Sequence, residues 1–200
     1  ANDKKIKLLF SYDTKQYLRE EETTDIAKFV QQNYPSYKIY EGKLTNKIRT
    51  NKEIASFIYN LEKIGYSNNH LNYEEITIEY FDDKEDLEEY IQYIRNFEDW
   101  KFITFTASQH QIEVITELSW LSEIKAHDVI GQEFPKVALV MDNNFKYDED
   151  NRLRTRINYY SVKGMLYQIV TRVINELKII VYKNPELYLK LLEIKNLEKK

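Results

Sequence analysis

Apolar positions along the chain follow two different spacings. Runs with strand character occupy residues 5–13 (KIKLLFSYD), 74–81 (EEITIEYF), 100–108 (WKFITFTAS), 136–142 (KVALVMD) and 177–183 (LKIIVYK). Between them, residues 23–34, 50–65, 83–97, 109–125 and 161–176, and the closing segment from Asn184, return apolar side chains every three to four positions and predict helices. In residues 23–34 this places Ile26, Phe29 and Val30 on one face. Ile54, Phe57, Ile58 and Leu61 do the same in residues 50–65, which Gly65 closes as a C-terminal cap. Acidic residues fill the first turn of residues 83–97, where a helix dipole favours them, and Pro185 stands in the first turn of the closing helix. A short extended piece is predicted at residues 37–42. The weakly patterned stretches 66–73 and 143–158 read as loops. Strands spaced by helices predict an α/β domain with a mostly parallel sheet. The loop at 143–158 then follows the carboxyl end of a parallel strand, where such sheets place ligands.

Composition narrows the function classes. Two hundred residues suffice for one substantial core but not for a complete two-domain motor, and a hydrophobic fraction of 42% excludes a disordered chain. No run approaches the roughly 18 apolar residues of a membrane span, and the charged start ANDKKIKLLFSYD does not resemble a signal peptide. A cytoplasmic protein with no membrane partner is expected. With no cysteine there is no disulfide framework, thiolate metal site or thiol nucleophile. The three histidines, His70, His110 and His127, lack metal-ligand spacing, so no metal site is expected. A formal charge of −4 gives no global field for nucleic acid, although residues 151–164 (NRLRTRINYYSVKG) hold four basic residues and no acid.

Four polar clusters stand at element ends: YDTKQ (12–16), LTNKIR (44–49), HDVIGQEF (127–134) and LYQIVTR (166–172). Each has a purely structural explanation. Asp13 can cap a turn, Arg49 can pair with a nearby acid, Gly131 can make a turn, and Arg172 can be a solvated helix residue. Their order adds information that none carries singly. It resembles the C-terminal half of superfamily 1 helicases, the UvrD/Rep and RecD-like motors, and is most similar to helicase-like ATPases related to the Schlafen group. In SYDTKQ, Asp13 and Gln16 match a strand-terminal D-x-x-Q. LTNKIRTNKEIASFI matches a motif centred on Arg49. HDVIGQEFPKVALVMD matches H-x-x-x-G-x-E-F before a strand, and LYQIVTRVINELKIIVY matches L-Y-x-x-x-T-R before a strand. The last two, with Gly131 and Thr171 about 40 residues apart, are the more specific pair.

The resemblance implies a three-layer RecA-like domain of the P-loop NTPase type. Residues 1–20 would be the last strand of a first RecA-like domain, and residues 21–200 the second. It implies that Gln16, Arg49 and Arg172 act catalytically, that Asp13, Gly131, Gln132, Glu133 and Thr171 bind nucleotide, and that Thr106, Ser108 and His127 contact single-stranded DNA or RNA. The arginine roles have an independent rationale. A planar, permanently charged guanidinium neutralises the charge that develops on a transferring phosphoryl group. No G-x-x-x-x-G-K-[ST] loop occurs, and no acidic strand precedes YDTKQ. ATP and Mg²⁺ are therefore expected in a longer protein whose N-terminal RecA-like domain carries Walker A and B, with no cofactor held by this chain alone and no hydrolysis by it. A non-catalytic RecA-like or flavodoxin-like interaction module, and a nuclease, are the alternatives.

Overall fold

Two central strands that are apolar at nearly every position organise the molecule. The computed structural model describes residues 26–36, 40, 50–66, 71–106, 124–155 and 161–196. The helices are α1 (Ile26–Asn33), α2 (Lys52–Glu62), α3 (Lys84–Phe97), α4 (Val162–Val170) and α5 (Pro185–Lys195). The strands are β1 (Ile76–Phe81), β2 (Lys101–Thr104), β3 (Ile124–Lys125), β4 (Phe134–Met141), β5 (Phe145–Tyr147), β6 (Leu153–Thr155) and β7 (Val173–Tyr182). Five strands form one sheet in the order β1-β7-β4-β2-β3, and every pairing within it is parallel. β5 and β6 form a separate antiparallel pair. None of the described helices is long and apolar enough to cross a membrane.

Strand alternation sends side chains into two cores. Val137, Leu139 and Met141 of β4 and Leu177, Ile179 and Val181 of β7 face a large core with residues of α2, α4 and α5. The intervening Ala138, Val140, Ile180 and Tyr182 face a smaller core closed by Leu87, Ile91 and Ile94 of α3. Helices on both faces of a parallel sheet give the expected three-layer α/β architecture, consistent with a RecA-like fold.

Among the buried positions on β7, one departs from the apolar pattern. Lys178 faces the smaller core and is only 6% exposed. Its Nζ lies 2.8 Å from Tyr90 Oη, 4.6 Å from the centre of the Trp100 ring and 3.7 Å from Glu98 Oε2. Trp100 Nε1 donates to the same carboxylate at 3.1 Å. A buried ammonium is tolerated only when paired, and here a hydroxyl, an aromatic face and a carboxylate share that task.

Local chemistry sets the element ends. Asn51, Asp83, Ser161 and Asn184 cap α2, α3, α4 and α5, their side chains accepting from first-turn amides. Asn184 also donates through Nδ2 to the carbonyls of Asp142 and Phe145, 2.9 Å each, tying α5 to the end of β4. Proline, which has no amide hydrogen to give a ladder, is accommodated at Pro135 by a register shift between Phe134 and Lys136.

Several expectations are corrected. Phe29, placed on one face of α1 with Ile26 and Val30, is 51% exposed. Gly65 has φ of +78°, but α2 ends earlier, at Glu62 with Lys63 as its cap, so the glycine serves the following turn. Residues 124–125, expected as the end of a helix, form β3, and Val173–Glu176, also expected as helix, belong to β7. Their pairing partners in the sheet, Ile103 and Thr104 for β3 and Phe134 and Lys136 for β7, override the local period. Residues 143–158 are not a featureless loop, because β5 and β6 pair within them. The strand predicted at 5–13, most of the extended piece at 37–42 and most of the helix at 109–125 lie outside the described residues.

Asp148 holds the β5–β6 turn together. Its carboxylate accepts from the amides of Asp150 and Arg152 and from Arg154 Nε. Beside it, burial and the Glu193 carboxylate push the Tyr147 phenol up, so the neutral hydroxyl donates to the Leu61 carbonyl at 2.8 Å. Along the same helix, α2, fully buried Tyr73 has φ of +50°, accepts from Asn60 Nδ2 at 2.8 Å and lies 3.0 Å from Ser56 Oγ.

Two outcomes follow from these contacts. Tyr73→Phe removes two buried hydrogen bonds and should lower unfolding free energy by about 1–3 kcal/mol at unchanged denaturant slope; a loss below about 0.5 kcal/mol would refute the network's role. The Asp148 carboxyl is held below its ordinary value of 3.8 first by the Arg152 amide and then by Arg154. A depressed folded-state value means its stabilisation is complete above the ordinary value and is lost as pH falls through the folded one. Protection factors of the β5 and β6 amides, taken relative to the intrinsic rate at each pH, should therefore fall below about pH 4 in the wild type. Asp148→Asn should remove that part of the pH dependence.

Candidate functional site

The candidate residues fall into two groups at opposite edges of the parallel sheet. All five strands run the same way, so the sheet has one amino edge and one carboxyl edge. Gly131, Gln132, Glu133, Thr171 and Arg172 gather at the amino edge, at the starts of β4 and β7. Thr106 and His127 meet at the carboxyl edge, beyond β2 and β3. Asp13, Gln16, Arg49 and Ser108 lie outside the described residues.

The amino-edge group is joined by a backbone hydrogen bond. Phe134 N donates to the Arg172 carbonyl at 2.9 Å, so two segments far apart in sequence become neighbours where β4 and β7 begin. Gly131 has φ of +81°, a conformation that favours glycine, and nothing lies within 4 Å of where a Cβ would stand. The turn's backbone, not a crowded neighbour, requires the glycine. Gln132 turns back on the same turn, Nε2 donating to the Asp128 carbonyl at 2.7 Å, while Glu133 stands at the surface.

Thr171 and Arg172 complete the end of α4. The Thr171 hydroxyl donates back to the carbonyls of Tyr167 and Gln168 at 2.7 and 3.2 Å. Arg172 Nε donates to the Gln168 carbonyl at 3.2 Å, and the residue is only 7% exposed. A helix's last carbonyls have no partner within the helix, and its negative end attracts cations, so both side chains satisfy ordinary helix-end chemistry in this arrangement. The guanidinium lies against its own helix rather than in solvent.

The carboxyl-edge group is held by the sheet. Ala126 N donates to the Thr104 carbonyl at 2.8 Å, and His127 N to Thr106 Oγ1 at 3.4 Å. From there residues 126–133 carry the chain from the end of β3 to the start of β4, past the intervening β2. Buried Ala126 and Val129 anchor this crossover on the larger core. A single short segment thus connects His127 at one edge with Glu133 at the other.

Sequence reasoning missed two polar residues. Asp142, buried at the carboxyl end of β4, accepts from the backbone and side-chain nitrogens of Asn144 at 2.9–3.0 Å. Gln168 is 1% exposed, and neither Oε1 nor Nε2 of its amide has a hydrogen-bond partner. The available signal for Gln168 was a single amide within the apolar run GMLYQIV. No group of three or more acidic or histidine residues suited to a metal ion occurs among the described residues.

Comparison with known proteins gives no match to any family model, curated protein or solved structure.

The Gly131 geometry generates a stability test. Gly131→Ala should cost about 1–2 kcal/mol through backbone strain alone, whereas Gly131→Asn, whose side chain tolerates a positive φ, should cost less. Equal costs in chemical denaturation would show that the turn does not retain this conformation.

Proposed function

We propose that this chain is the second RecA-like domain of a superfamily 1 helicase-like ATPase. In this reading it couples a nucleotide held by a partner domain to movement along single-stranded DNA or RNA. The supporting observation is the crossover at residues 126–133. It starts beside Thr106 and His127, the candidate nucleic-acid contacts, and ends where Phe134 is hydrogen-bonded to Arg172, the candidate phosphate contact. A displacement at either edge of the sheet would thus be felt at the other through about eight residues of backbone whose middle is anchored in the core.

The partner domain, in the same polypeptide or a separate one, supplies Walker A, Walker B and bound Mg²⁺, none of which this sequence carries. This chain contributes the guanidinium of Arg172 and, by resemblance, that of Arg49. Its Glu133 lies at the same cleft-facing edge, with Gly131 and Gln132 shaping the turn and Thr171 fixing the helix end. Domain closure would draw Arg172 off the Gln168 carbonyl and towards the transferring phosphoryl group.

A non-catalytic interaction module is the competing reading, and the inward placement of Arg172 favours it. ATP turnover separates the two. These 200 residues alone should show none, and the assembly with a Walker A-bearing domain should hydrolyse ATP in a nucleic-acid-stimulated manner. In that assembly Arg172→Ala should lower kcat roughly 10³-fold or more. Turnover by the isolated chain that depends on Arg172, or an assembly indifferent to Arg172, would overturn the motor reading.

A further inference from the structure

We infer that Gln168 is a positioning residue for Arg172, its side-chain amide providing a second acceptor for the guanidinium one helical turn away. Three observations converge on it. Gln168 is 1% exposed, and both polar atoms of its amide lack hydrogen bonds. Buried amides are almost always bonded, because the water they give up must be replaced, so an amide with both ends open marks a state other than the one seen here. Its backbone carbonyl already accepts Arg172 Nε at 3.2 Å, so the two residues share one site. Arg172 stands just past Thr171, the C-cap of α4, where that bond keeps its side chain within reach of the Gln168 amide.

The geometry gives the guanidinium two positions. In the first, observed, Nε is bound to the Gln168 backbone carbonyl and the side chain follows the helix end. In the second, the guanidinium turns outward towards the nucleotide phosphates of a partner domain, and Gln168 Oε1 accepts one of its remaining N–H groups. The amide then holds the extended arginine in place, and the acceptor left open in the observed state is filled. Deleting the amide should stabilise the inward position and deplete the outward one. This inference rests on the reading that Arg172 acts beyond its own chain, but its test needs neither nucleotide nor partner.

Gln168→Met is nearly isosteric and cannot bond, and Gln168→Leu serves as a second variant should methionine perturb packing. Modification of Arg172 by phenylglyoxal, followed by peptide mass spectrometry, reports how often the guanidinium leaves the helix; exposed Arg152 serves as the internal reference. With the full 200-residue chain, Gln168→Met should label at Arg172 about tenfold more slowly than wild type, the effect of losing one hydrogen bond to a charged group. Its Tm should rise by about 2 to 4 °C, because an open buried amide is removed. Gln168→Glu, which keeps an acceptor at the same reach, should retain labelling near the wild-type rate. A lower Tm in both apolar variants would assign Gln168 an ordinary structural bond, and unchanged or faster Arg172 labelling would remove its positioning role; either result overturns the inference. Because labelling does not require ATP, that failure is distinct from the finding that Arg172 has no role in hydrolysis.

Discussion

The structure depends on burying both faces of the paired central strands β4 and β7. A strand covered on one side needs apolar residues at alternate positions, but one covered on both sides needs them consecutively. ALVM in β4 and IIVY in β7 meet that demand, and seven residue pairs from Phe134↔Val173 to Met141↔Val181 align the two strands in parallel. Every candidate residue described is positioned relative to this pair. Arg172 and Glu133 precede the two strands, and the crossover that begins at Ala126 exists because β4 must be entered from its amino end. Parallel pairing therefore creates the connection between the two edges.

Polar groups inside this framework divide by whether their bonding is complete. Lys178 is surrounded by Tyr90, Trp100 and Glu98, so its burial closes locally. Asp142, Asn144 and Asn184 form a set that joins the end of β4 to α5. Tyr73, Ser56 and Asn60 do the same beneath α2. These groups fix the relation of neighbouring elements at little net cost, because each buried donor has an acceptor. Gln168 differs in having neither end of its amide bonded, and it does so beside the arginine on which the proposed function turns.

Much of the fold could be read from the residues. The periods of residues 50–65, 83–97 and 184 onward appear as α2, α3 and α5, and the strand runs near 76, 101 and 137 appear as β1, β2 and β4. Two of the misreadings share a cause. Ile124–Lys125 and Val173–Glu176 extend a helical period, yet sheet neighbours supply hydrogen bonds that outweigh local preference. At the candidate site, a family resemblance singled out Gly131, Thr171 and Arg172, and their helix-end and turn geometry follows local rules. That Arg172 would lie inward was not legible, since a motif specifies residue type but not the rotamer that packing selects.

The sequence alone determined the alternation of strands and helices, because hydrophobic period and capping residues act over a few neighbours. It also determined which groups are available: arginines, no cysteine and no glycine-rich phosphate loop. The tertiary structure alone decided that residues 131–134 and 171–172 meet at one sheet edge, that Lys178 is caged by side chains from α3 and β2's approach, and that the Gln168 amide is buried without a partner. These outcomes depend on contacts between residues distant along the chain, whose energies arise only when the two faces of β4 and β7 are covered.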